Sequence, residues 1–163
     1  MKFSLLIFLL LFILSCNSEK KNSDFQFIFK FGKNEYNSQT HEFIKDMVIG
    51  TPLKFKIKLD SNQLNRIRQA IDSINLWSYP EHYYFTSDDP NELLKTRIPC
   101  SSSSIEVYFG VKHKKVIWDN CIGTYGKSKN GQFEKLVQLK ISIYRILTRT
   151  PEYKASPEPR GGY

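Results

Sequence analysis

The chain has 163 residues, a formal net charge of +8 and an apolar fraction of 40%. A single domain of this length buries about 68–70% of its unfolded surface, so it needs neither a metal ion nor many disulfides in order to fold. The mean hydropathy of −0.40 is that of an ordinary soluble body. Lysines are spread along the whole length, which favours a solvated basic surface over one concentrated patch.

The first sixteen residues have the order of a secretory signal. Lys2 is followed by an apolar run from Phe3 to Leu14 that only Ser4 interrupts. This run is shorter than the roughly 20 apolar residues that a spanning helix needs. Residues 1–15 are therefore predicted to be a signal peptide that is removed on export.

The end of this signal resembles the lipobox of bacterial lipoproteins, with the order Ile13-Leu14-Ser15-Cys16. The resemblance implies that Cys16 is acylated and that the mature protein, of 148 residues and net charge +7, is anchored in the cell envelope. Asn17 replaces the aspartate that retains familiar lipoproteins at the inner membrane, which implies the outer membrane, facing the periplasm or the surface. The alternative is a plain signal peptide whose cysteine is incidental. Residues 16–24 are polar and are predicted to be a flexible tether.

Two cysteines remain in the exported part of the chain, Cys100 and Cys121. An even number of cysteines in an oxidising compartment favours a disulfide between them. The alternative, a reactive thiol, would need a neighbouring cation to stabilise the thiolate, and Cys100 has no His or Lys beside it. The sequence therefore predicts a bridge.

Alternating apolar residues predict three strands before the first helix. In Phe25–Phe31 four phenylalanines share one face. A second apolar patch spans residues 43–49, and a third strand spans Leu53–Leu59, with its apolar side chains inward. The outward side chains of the first and third strands form a basic row, which consists of Lys30, Lys54, Lys56 and Lys58.

Two amphipathic helices and a hairpin complete the predicted domain, residues 25–150. Asp60 and Gln63 have the spacing of a capping box at the start of a helix that ends near Asn75. Strands at 105–109 and 115–119 form a hairpin, and a second helix spans Gln132–Thr148. The fold class is thus α+β, in the order β-β-β-α-β-β-α, with an antiparallel sheet of four to five strands and both helices on its phenylalanine face. Residues 151–163 are predicted to be an extended tail rich in Pro and Gly.

No catalytic constellation stands out, so we expect a binding or structural module. Its basic sheet face would contact anionic lipid, an anionic glycan or an envelope protein. Export makes nucleic acid an unlikely partner, and no cofactor is expected. The layout also resembles small lipoproteins of unknown function from Gram-negative bacteria, in which a segment like Phe55–Asp60 runs into a helix that ends in a Trp/Tyr/Pro patch. That resemblance brings no activity and no catalytic residue with it.

The alternative is an envelope hydrolase or a metal-dependent enzyme. Its candidate residues lie in the long segment from residue 79 to residue 99 and are Glu81, His82, Asp88 and Asp89. They offer carboxylates and an imidazole close together in sequence, but without the spacing of a known metal site. His82, Asp88 and Asp89 are therefore weak candidates for metal ligands.

Overall fold

The computed structural model describes residues 24–85, 101–119 and 128–159. It confirms an α+β fold, in which a sheet of seven strands has the order β4-β3-β2-β1-β6-β7-β5. The strands are β1 Phe25–Phe31, β2 Asn34–Asn37, β3 Glu42–Lys45, β4 Leu53–Lys56, β5 His82–Tyr83, β6 Ser102–Phe109 and β7 Lys112–Asp119. The helices are α1 Ser61–Ser73, α2 Gln132–Thr148 and α3 Pro151–Ala155.

The sheet is larger than predicted and is not wholly antiparallel. β2 contains one buried apolar residue, Tyr36, so its sequence lacks the alternation that would mark it as a strand. It forms because β1 and β3 pair with it on both sides. β5 pairs with β7 in parallel, which makes the sheet mixed. The prediction of about four to five antiparallel strands was therefore too low in number, and one of the six described strand pairings is parallel.

The hairpin of β6 and β7 is also longer than predicted. Its turn has two residues, Gly110 and Val111, because Phe109 pairs with Lys112. Gly110 has a φ of +57°, which glycine adopts at little cost in a tight hairpin turn. The predicted second strand begins at Lys115, whereas β7 begins at Lys112, directly after the turn.

The helices pack on the phenylalanine face of the sheet, as predicted. Phe27 and Phe29 of β1 are buried in one core with Ile67 of α1 and Leu136 of α2. β4 also follows the predicted alternation: Lys54 and Lys56 are exposed, and Phe55 packs against the core. A one-residue shift of register would bury these lysines, so burial of one face fixes the register.

The capping box at the start of α1 is confirmed. The Gln63 backbone N–H donates to Asp60 Oδ1 at 2.7 Å, and the Asp60 backbone N–H donates to Gln63 Oε1 at 2.8 Å. Two free donors of the first turn are thereby satisfied. The helix then follows the predicted period to Ser73 and buries Ile67 and Ile71.

The segment after α2 is not extended throughout, contrary to prediction. Thr150 caps the short helix α3, and Pro151 occupies its first turn, where a missing N–H costs nothing. Beyond α3 the chain contacts β3: Lys45 Nζ donates to Ser156 Oγ at 3.0 Å and to the Pro157 carbonyl at 2.8 Å. The domain therefore continues past residue 150.

Several predicted features lie outside the described residues. They are the signal peptide 1–15 and residues 16–23 of the tether, which include Cys16. The metal-ligand candidates Asp88 and Asp89 and the two cysteines Cys100 and Cys121 also lie outside. Within the described ranges, no helix is long and apolar enough to cross a membrane.

Candidate functional site

The face of the sheet opposite the helices, called here the open face, carries rows of outward side chains, two of which cross six or seven strands. The strand register sets these residues side by side across the sheet. The first row is Lys54, Ile44, Glu35, Lys30, Ser104, Ile117 and His82; the second is Lys56, Glu42, Asn37, Ile28, Glu106 and Lys115.

Both rows carry charges of both signs. Lys30 Nζ lies 2.8 Å from Glu35 Oε2, its cross-strand neighbour. Lys56 lies opposite Glu42, and Lys115 opposite Glu106. The open face is therefore of mixed charge. The pattern of each strand alone predicted a basic row, but strand pairing brings acidic residues beside those lysines.

Of the four predicted basic-face residues, three lie at one edge of the molecule. Lys54 and Lys56 belong to β4, the edge strand, and Lys58 follows it; all three are exposed. Lys56 Nζ donates to the Thr40 carbonyl at 2.9 Å. Lysines on an edge strand discourage pairing with another sheet, which is a sufficient structural reason for their presence.

A trough of about 320 Å³ runs along the middle of the open face. Its floor includes two half-buried isoleucines, Ile28 and Ile117. Around them stand two lysines and two glutamates, Lys30, Glu35, Glu106 and Lys115. An apolar floor with a rim of both charges is an arrangement suited to a polypeptide segment with matching side chains.

Glu106 on the trough rim belongs to a hydrogen-bonded cluster. The Tyr108 hydroxyl donates to Glu106 Oε1, and His113 Nε2 lies 2.9 Å from the same oxygen. The tyrosine and imidazole rings stack with centroids 4.7 Å apart. The Tyr108 hydrogen bond holds the pKa of Glu106 below its ordinary value and raises the pKa of Tyr108. The carboxylate is thus kept ionised at the trough.

Sequence reasoning missed this cluster. Glu106 and Tyr108 share a strand face, which the alternation of β6 indicates. His113 joins them only because the turn has two residues, so that Tyr108 pairs with His113. The strands predicted at 105–109 and 115–119 would leave five residues between them, and His113 would then lie in the connection and not opposite Tyr108.

The residues of the enzyme alternative are only partly described. Glu81 and His82 are exposed, and the His82 ring lies 6.5 Å from the Tyr84 ring. Asp88 and Asp89 lie outside the described residues. Within the described part of the chain, no group of three or more His, Cys, Asp and Glu residues is placed to hold a metal ion. Geometry therefore adds no support for this alternative.

A second cluster lies on the helical layer and was not anticipated. A cleft of about 220 Å³ between α1 and α2 is lined by Gln63, Arg66, Ala70, Ser142, Arg145, Ile146 and Arg149. Arg145 lies in the last turn of α2, and Arg149 is the residue that caps this helix; their spacing of four places them on the same side of the helix end, which the sequence could have indicated. That Arg66 of α1 faces the same cleft depends on how the two helices pack.

Comparison with known proteins does not assign this chain to a family. No family model matches the sequence, and no curated protein matches it significantly.

Proposed function

We propose that this protein is a lipid-anchored binding module of the bacterial cell envelope and that its open face binds another envelope protein. The lipobox resemblance at Ile13-Leu14-Ser15-Cys16 supports the anchor. The observation that carries the binding role is the trough, whose apolar floor is surrounded by two lysines and two glutamates.

A protein partner fits the trough better than an anionic lipid or glycan surface. The four rim charges cancel, so a uniformly negative surface would be attracted by Lys30 and Lys115 and repelled by Glu35 and Glu106. A polypeptide can present both signs and an apolar side chain at the matching positions. The mixed rim thus favours selectivity among partners over general adhesion to anions.

The anchor is tested by metabolic labelling with a fatty acid such as radiolabelled palmitate. The wild-type protein is expected to carry the label and to fractionate with membranes. A Cys16→Ser variant is expected to lose both. If the wild-type protein stays unlabelled and is found in the cytosol with its amino terminus intact, neither lipid anchoring nor export is correct.

The binding face is tested by a photo-crosslinking residue placed at Ile117, on the trough floor, in cells that express the full chain. A discrete crosslinked product is expected from this position. The matched control is Val111, which is fully exposed at the hairpin turn and away from the trough.

A double variant supplies the second control. Lys30→Glu together with Lys115→Glu makes the rim wholly acidic and is expected to abolish the Ile117 product. Identical products from Ile117 and Val111, or no product from either, would contradict a partner at the open face.

A further inference from the structure

The cleft between α1 and α2 is lined by three guanidinium groups, and none of them forms an ion pair with an acidic side chain of the described residues. Arg66, Arg145 and Arg149 are all exposed at its rim. No Asp or Glu occurs among the described residues that line it. The neighbouring Arg68 does have an acidic partner, since its Nε lies 3.7 Å from Asp72 Oδ2, and its guanidinium group stacks over the Phe109 ring.

Helix electrostatics explains only part of this arrangement. Arg145 and Arg149 lie at the carboxyl end of α2, where cations are stabilised by the helix dipole. Arg66 lies in the second turn of α1, where the dipole gives no such stabilisation. Three like charges around one cleft repel each other, so folding alone gives no reason for their convergence.

The chemistry of the cleft suits a phosphoryl group. Guanidinium groups bind phosphate oxygens with two parallel hydrogen bonds each. A phosphate monoester carries a charge of about −1.5 to −2 at neutral pH, which matches three cations better than a single carboxylate does. Gln63 and Ser142 add uncharged hydrogen-bonding groups, while Ala70 and Ile146 supply apolar contact. The 220 Å³ of the cleft is also far more than one water molecule needs.

We infer that the cleft between α1 and α2 is a binding site for a phosphate monoester group, carried by a lipid headgroup or by a soluble phosphorylated molecule. Arg66, Arg145 and Arg149 bind its oxygens. The site rests on none of the observations that support the anchor or the open face, so either proposal can fail without the other.

The test is calorimetric titration of the full chain in a neutral detergent. The probes are inorganic phosphate and dihexanoyl phosphatidate, a short-chain lipid with a monoester headgroup. The Arg66→Gln, Arg145→Gln, Arg149→Gln triple variant is expected to lose affinity at least about tenfold. Binding is also expected to weaken below about pH 6, where the monoester gains a proton.

Two further triple variants separate geometry from net charge. The Arg66→Lys, Arg145→Lys, Arg149→Lys variant keeps the charge but lacks the planar guanidinium group that forms two parallel hydrogen bonds, and it is expected to bind more weakly than wild type. Lys54→Gln, Lys56→Gln, Lys58→Gln removes the same charge from the edge strand and is expected to leave the affinity within about twofold, since exposed distant charges are screened.

The outcomes divide clearly. Phosphatidate bound about tenfold more tightly than inorganic phosphate would assign the site to a lipid headgroup, and similar affinities would assign it to soluble phosphoryl compounds. The inference would be overturned if the arginine-to-glutamine variant and the edge-strand lysine-to-glutamine variant lost equal affinity. It would also be overturned if neither probe bound to the wild type. If circular dichroism shows that the arginine triple variant is unfolded, Arg145→Gln alone is judged by the same comparison.

Discussion

At the scale of single residues, Glu106 is placed so that its charge contributes to stability. The Tyr108 hydroxyl and the His113 imidazole both contact its carboxylate, and its pKa lies below the ordinary 4.5. A carboxyl whose folded pKa is depressed stabilises the fold above its unfolded pKa. That contribution is lost as the pH falls through the folded pKa.

We therefore expect a Glu106→Gln variant to lose part of the acid dependence of stability. The measurement is the free energy of unfolding in urea from neutral pH to below the folded pKa of Glu106. The wild type is expected to lose more stability than the variant over this range. Glu81→Gln, at an exposed side chain, serves as the control, and curves of identical shape for wild type and Glu106→Gln would contradict the assignment.

Tyr36 contributes through one buried hydrogen bond. Its side chain is completely buried, and its hydroxyl donates to the Ile57 carbonyl at 3.1 Å. Burial raises its pKa, so the hydroxyl stays protonated and remains a donor. This bond joins β2 to the segment that follows β4.

Replacing Tyr36 by Phe is expected to lower the free energy of unfolding by about 1–2 kcal/mol, because the buried Ile57 carbonyl loses the hydrogen bond from the tyrosine hydroxyl. The measurement is chemical denaturation. Tyr84→Phe is the matched control, since Tyr84 is 70% exposed, and it is expected to change little. Equal stability of the two variants would show that the Tyr36 hydroxyl has no such role.

At the scale of elements, the hairpin of β6 and β7 bears on the predicted disulfide. The last described pair at its open end is Ser102 with Asp119. Cys100 precedes Ser102 by two residues, and Cys121 follows Asp119 by two. Both cysteines lie outside the described residues, so the bridge stays a prediction.

Peptide mapping without reduction is expected to recover one peptide pair linked through Cys100 and Cys121. Reduction, or the Cys100→Ser, Cys121→Ser double variant, is expected to lower the free energy of unfolding by about 3 kcal/mol in the chain-entropy model. Two free thiols in protein isolated without reductant from the expressing cells would exclude the bridge.

The short helix α3 and the chain after it are part of the domain. The Tyr153 ring packs on the Phe43 ring with centroids 5.4 Å apart, and Lys45, only 1% exposed, bonds to Ser156 and Pro157. Removing this segment would expose an aromatic cluster and leave the buried ammonium without these acceptors.

Truncation after Thr150 is therefore expected to cost about 2–5 kcal/mol, as for the loss of a large core side chain. Truncation after Pro159 is the control and is expected to leave the free energy of unfolding unchanged. If both truncated proteins are as stable as the full chain, the segment lies on the domain without stabilising it.

At the scale of the whole molecule, the two proposed binding surfaces lie on opposite layers. The trough is on the open face of the sheet, and the arginine cleft is on the helices that cover the other face. A packed core separates them, so an occupant of one does not block access to the other.

We expect saturating phosphate to leave the yield of the Ile117 crosslink unchanged. The measurement is the crosslinking reaction with and without phosphate, in membranes from cells that express the full chain. The arginine triple variant is the control for effects of phosphate elsewhere. If phosphate changes the crosslink yield in the wild type but not in the arginine triple variant, the two surfaces are coupled, and the expectation of independent sites is wrong.

The sequence by itself determined the elements whose signals are local. Alternating phenylalanines defined β1, the Asp60 and Gln63 pair defined the start of α1, and the helical period defined α2 from Gln132 to Thr148. Each of these patterns lies within one segment, where the side chains of a helix turn or a strand face act together.

Only the tertiary structure decided what meets across segments. It added β2 and β5 to the sheet, set Glu35 beside Lys30, and brought Arg66 to the cleft of Arg145 and Arg149. These contacts depend on strand register and helix packing between segments far apart in sequence. A pattern within one segment does not indicate which distant residues that segment contacts. For this reason the chain alone indicated a basic sheet face, whereas the folded protein carries a mixed-charge trough on one layer and an arginine cleft on the other.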